Sequence, residues 1–119
     1  KIDVADASGR IIFSNDNWST TTVGGATTFA SVGAFNLATN SRDAAILATN
    51  LAPGAYTASV VDDTSTGVAL AEIYDASEGT TVETQRLVNI STRGESAPGD
   101  GVLIQTCVSA AAGACDIDL

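Results

Sequence analysis

The chain has 119 residues, with 14 Asp plus Glu against 5 Lys plus Arg, no His and no Met, and a net charge of −9. That length supports one core and one domain spanning 1–119. The negative field repels nucleic acid and anionic membranes, the missing His removes Ser-His-Asp and Cys-His catalysis, and no run of about 18 apolar residues is present to span a bilayer.

Taken from the N-terminus, residues 1–5 alternate, with Ile2 and Val4 on one face, and predict a short strand. A chain opening on Lys1 reads as processed or trimmed. Residues 6–9, Asp-Ala-Ser-Gly, predict a turn, since Asp bonds its own backbone and Gly closes the reversal. Residues 10–14 predict the return strand. A polar cluster, Asn15-Asp16-Asn17, precedes the single tryptophan, Trp18, and a Thr- and Gly-rich loop follows over 19–28. Residues 29–37 alternate and predict a strand with Phe35 and Leu37 inward. Residues 43–49 predict another, against the option of one helical turn on the alanines.

Residues 51–75 predict one β-hairpin: a Pro53-Gly54 turn, a strand with Tyr56, Ala58 and Val60 on one face, a polar loop over 62–67 and a return strand over 68–74. Residues 76–83 are a polar connection. Residues 86–92 predict a strand with Val88 and Ile90 inward, 94–101 a loop and 102–108 a further strand. About eight short strands at this spacing predict an all-β, antiparallel β-sandwich of jelly-roll or immunoglobulin-like type. The expected core is Ile12, Phe35, Leu37, Ile46, Tyr56, Val60, Leu70, Ile73, Val88, Ile90 and Leu103.

Cys107 and Cys115 enclose seven residues. A disulfide there would stabilise by about 2.6 kcal/mol in the chain-entropy model and would imply an oxidising compartment. Two free buried thiols are the other reading.

The segments LAPGAYTASV, TGVALAEIYD, RLVNISTRG and GDGVLI, in that order, resemble a repeated β-sandwich module of secreted bacterial surface proteins with the pattern LxPGxYTxxV, TGxALVEVYD, RLxNLSTRG and GDxVLI. Upstream, DASGRIIFSNDNW and VGAFNL with SRDAAIL are similar to the same module. The resemblance implies an extracellular or cell-surface module, akin to jelly-roll units appended to secreted peptidases and without catalysis of its own. It also implies a strand before Lys1 that this sequence lacks. After Ile104 the module's closing strand is replaced by the cysteine-bounded, alanine-rich tail.

Candidate sites are few. Oxygen donors suit calcium, and Asp6, Asn15, Asp16 and Asn17 form a candidate calcium site if the first hairpin closes on itself. Asp62 and Asp63 are a lesser one. The alternative is that these residues only shape turns. Trp18 is a candidate carbohydrate platform, against a lid over one end of the core. Arg86 and Arg93 are expected to pair with Glu72, Asp75 or Glu83. No cofactor other than calcium is expected. The leading function is a non-catalytic structural module that self-associates into a surface layer or pilus-like filament. Its partners would be copies of itself, joined by strand addition or end-to-end packing, with a donor segment around Ile2 and Val4 or in the tail after Val108. The alternative is a carbohydrate- or calcium-dependent adhesion module.

Overall fold

In the computed structural model, residues 1–18, 25–76 and 88–108 are described. The order is β1 (Ile2–Asp6), β2 (Ile11–Asn15), α1 (Gly25–Ser31), β3 (Gly54–Val61), β4 (Gly67–Tyr74), β5 (Asn89–Ser96) and β6 (Gly101–Val108). The chain is mostly β and every described strand pairing is antiparallel. One sheet has the order β2-β1-β3-β6; the other pairs β4 with β5.

The first hairpin forms where the sequence places it. Asp6 closes the turn by accepting from the Ser8 amide at 3.0 Å and the Arg10 amide at 3.1 Å, while its own carbonyl accepts from the Gly9 amide at 2.9 Å. These bonds satisfy the backbone groups that a reversal leaves unpaired.

The stretch over 51–75 does not form a hairpin, which corrects the expectation from sequence. β3 pairs with β1 and β6, and β4 pairs with β5. The registers explain the arrangement. Val61 stands opposite Gly101, and Gly67 stands opposite Ser96. The β3–β6 and β4–β5 pairs are therefore two halves of one long antiparallel ribbon, bent at 62–66 on one arm and 97–100 on the other. On the first arm, Asp62 accepts from the Thr64 amide at 2.8 Å and the Ser65 amide at 3.1 Å. That loop is held by its own side chain and carries the chain from one sheet to the other. On the second arm, Ala97 and Asp100 exchange backbone hydrogen bonds around Pro98-Gly99. Gly99 has φ +80°, the third position of a type II turn, which glycine fills without strain. The expected eight-residue loop over 94–101 is thus a tight turn.

The bend brings apolar residues of both sheets together. Val60, Val102 and Ile104 from the larger sheet meet Ala69, Ala71, Ile73 and Ile90 from the smaller. The separation there is small: a Cβ placed on Gly94 would lie 3.0 Å from a Val102 methyl. Ala69 and Ala71 line that side of β4 beside Gly94 for this reason, while Val68 and Leu70 point outward. The expected core is corrected accordingly. Phe35, Leu70, Val88 and Leu103 are 66%, 48%, 60% and 63% exposed. Tyr56 is buried as expected, and Val60, Ile73 and Ile90 pack on the cluster.

Two expected strands are absent. Residues 43–49 form no strand. Residues 29–37 begin inside α1, which Gly33 ends with φ +76°. The Ala34 amide donates to Phe29 O at 3.0 Å and the Gly33 amide to Ala30 O at 3.2 Å, the paired bonds of a Schellman cap.

Candidate functional site

Three regions carry the polar and exposed apolar residues singled out in the sequence. The first is the end of β2. Asn15 is buried; its carboxamide donates to Asn17 O at 3.1 Å and accepts from the Ala45 amide at 3.0 Å. The Trp18 amide donates to Asp43 O at 2.9 Å, and the indole N–H donates to Ala38 O at 2.9 Å. Together these bonds hold residues 38–45 against the end of the hairpin. Ser41 and Asp43 bond each other within that segment. Trp18 is half-buried and acts here as a clasp.

The same hairpin separates the proposed calcium ligands. Asn15 stands opposite Ile2, whereas Asp6 lies at the far end of β1, beside the turn. Four residue steps separate the two ends, about 13 Å along β1. Asp16 faces the terminal amine of Lys1 at 3.8 Å. Asp6 instead accepts from Arg10 Nε at 3.2 Å and from the Ser8 hydroxyl. Its carboxyl is held below the usual carboxylate range, first by the Ser8 hydroxyl and then, against desolvation, by the Arg10 and Ser8 amides and the guanidinium. The structure brings Asn15, Asp16 and Asn17 to one end and leaves Asp6 at the other. Among the described residues no three His, Cys, Asp or Glu side chains converge.

The second region is the bend at 62–66. The Asp62 carboxylate accepts from two amides and from the hydroxyls of Thr64 and Ser65. The Ser65 hydroxyl and the Thr64 amide lead in pushing its pKa far below the ordinary value. Asp62 is fully engaged in shaping the bend, and Asp63 is exposed beside it.

The third region is the small sheet. β4 and β5 pair without a register shift from Gly67–Ser96 to Tyr74–Asn89. Among the described residues β4 pairs with β5 alone, and none of them pairs with the backbone N–H and C=O groups of its other side. On the outward face stand Val68, 67% exposed, and Leu70, followed by Glu72 and Tyr74, whose hydroxyl donates to Glu72 Oε2 at 2.8 Å. Arg93 lies opposite Leu70 on that face, and Glu95 lies opposite Val68. Arg86 and Glu83 lie outside the described residues.

Sequence reasoning missed this region because it placed Leu70 inward. The signal available was the phase of Ala69, Ala71 and Ile73, which share one face of the strand. Of the two donor segments named from the sequence, the one around Ile2 and Val4 is β1. β1 is paired on both sides, with β2 and β3, and the Lys1 amine donates to Val61 O at 3.0 Å. Cys107 stands opposite Ala55 in the β3–β6 register. Its side chain, Cys115 and the tail after Val108 lie outside the described residues, and the disulfide with them.

The described arrangement offers backbone donors and acceptors along an open edge and an apolar strip beside it. Comparison with protein-family models, with curated proteins and with solved structures returns no match.

Proposed function

We propose that this chain is a non-catalytic, self-associating structural module, and that its two sheets are the layers of a jelly-roll-like β-sandwich. The observation that supports the reading is the edge of β4 that no described residue pairs, which is regular over eight residues. An uncovered edge is a template for another strand, and strand addition is a common way to satisfy it. The tie from the Tyr56 hydroxyl to Ala52 O, at 2.6 Å, adds support for the sandwich, because such a corner recurs where sandwich strands change layers. The resemblance to modules of secreted bacterial surface proteins is the ground for proposing an extracellular setting, with Cys107 bonded to Cys115.

The test is the state of the native chain across a wide concentration range. Light scattering after size exclusion should show mass rising with concentration, and electron microscopy of concentrated samples should show ordered assemblies. A constant monomer mass and empty grids would overturn the reading. Mass spectrometry without reductant should find the protein two mass units below the dithiol.

A further inference from the structure

We infer that two copies of this chain join along β4, antiparallel across a two-fold axis at Leu70, so that the two small sheets become one four-stranded sheet in the order β5-β4-β4-β5. This rests on the self-association reading and names the surface and the partner.

Four observations carry it. The first is the condition of the edge. Open strands in natural sheets are protected by proline, lysine, bulges or shortness. Among the other edges of the described residues, β2 has a register shift against β1 at Val4/Ala5, β5 carries Arg93 and Glu95, and β6, as unprotected as β4, is set apart from it by the branched Val102 and Ile104 on its inward side. β4 has the sequence GVALAEIY, with no proline, no lysine, no register shift and one charge, Glu72.

The second observation is the shape of the occupant. Strand neighbours share faces residue for residue, so the joining strand must be small on the inward side and apolar on the outward side. β4 meets its own requirement. With the axis at Leu70, Ala69 of one copy stands opposite Ala71 of the other on the inward face. That continues the narrow layer in which Ala71 is buried. On the outward face Leu70 stands opposite Leu70.

The third observation is exposure. Val68, 67% exposed, and Leu70, 48% exposed, are both large apolar residues open to solvent, and they are two positions apart on one face. The two-fold places both copies' pairs in one continuous patch. Interfaces of this isologous kind double every favourable contact.

The fourth observation is charge. A protein of net charge −9 repels its copies unless the contact keeps acids apart. In this pairing Glu72 of one copy faces Val68 of the other. The two Glu72 positions are four residues apart along the strands, about 13 Å, beyond the screening length of roughly 8–10 Å at ordinary salt. Arg93 is the one cation on the described outward face, and it lies diagonal to Glu72 of its own copy, where it offsets that acid beside the seam. An axis at Ala71 would instead leave the two Glu72 positions only two residues apart along the strands, about 7 Å, inside that length.

The experiment uses the full chain with one cysteine added. Leu70→Cys, oxidised under native conditions, should form a covalent dimer within minutes, because residues on the axis bring their own Cβ atoms to about 5 Å. Phe35→Cys, as exposed but away from β4, should form at least tenfold less. Leu70→Lys should raise the dimer dissociation constant at least tenfold, while circular dichroism and melting show that the fold is kept. If the chain self-associates but the Leu70→Cys dimer fails and Leu70→Lys changes nothing, this contact is wrong and the broader reading stands. If the chain does not self-associate at all, both fall. Slow amide exchange on both sides of β4 in dilute monomer would also overturn the contact, since the edge would then be covered within one chain.

Discussion

Tyr56 shows how one side chain fixes the route of the backbone. Pro53-Gly54 starts β3, and the Tyr56 ring is buried while its hydroxyl reaches back to Ala52 O at 2.6 Å. A buried phenol needs a partner, and this one ties the incoming loop to the strand that it feeds. Replacing Tyr56 with Phe keeps the packing and removes the bond. Ala52 is exposed, so its carbonyl can turn to water. The expected loss is about 0.5–1.5 kcal/mol, read as a lower urea midpoint at unchanged m-value. No change would mean that the hydroxyl only follows the loop. Asn15 does similar work with both ends of one carboxamide, and here the sequence is a poor guide. The run Asn15-Asp16-Asn17 looks like a ligand set because its members are adjacent, yet the strand partner of Asn15 is Ile2 and not Asp6. Side-chain type was legible; the direction of the hairpin that separates the two ends depends on the register.

At the scale of elements, the alternation of β6 sets the energetics. Val102 and Ile104 point between the sheets and Leu103 points out. Ile104→Ala should therefore cost about 2–5 kcal/mol, whereas Leu103→Ala should stay within about 0.5 kcal/mol. Chemical denaturation of both variants compares them directly, and equal losses would show that the inward and outward faces of β6 have been misassigned. The strands themselves were legible: β1, β2, β3, β4 and β6 all fall where alternation and turn residues put them. Their phase and pairing were less so. Leu70 and Leu103 were placed inward on size, but the close approach at Gly94 selects the small side of β4 and the branched side of β6. The pairing of β3 with β6 joins residues more than forty apart in the chain at most positions, and no local pattern announces it. The helix α1 was missed because Gly25–Ser31 is only seven residues long and its apolar spacing rests on Ala26, Phe29 and Ala30, two of them small; its clearest sequence mark is the capping Gly33.

For the whole molecule, charge and stability are linked through acids held by hydrogen bonds, two in turns and one across the first hairpin. Asp3, Asp6 and Asp62 all have carboxyls held below the ordinary value of 3.8. For Asp3, desolvation pushes upward, but the Ser14 hydroxyl and then Lys1, by hydrogen bond and by charge, together outweigh it. A folded-state pKa below the unfolded one contributes stability above the unfolded value and loses it as pH falls through the folded value. The melting temperature should therefore decline from about pH 4 downward. Asp62→Asn removes the most strongly shifted of the three and should flatten that decline, measured as melting temperature against pH. An equally steep profile in the variant would place the acid sensitivity elsewhere.

The bent ribbon also orders events in time. Partners in β1–β2 are 6–13 residues apart in sequence, and those in β4–β5 are 15–29 apart. Those in β3–β6 are 40–54 apart, and those in β1–β3 are 50–58 apart. Closing a longer loop costs more entropy before any contact repays it, so two local hairpins form first and the ribbon zips from β4–β5 through the bend. On the ribosome the first hairpin emerges early, and its β1 side stays open until some fifty more residues have been made. During synthesis the edge most exposed to wrong partners is therefore one that the finished fold hides.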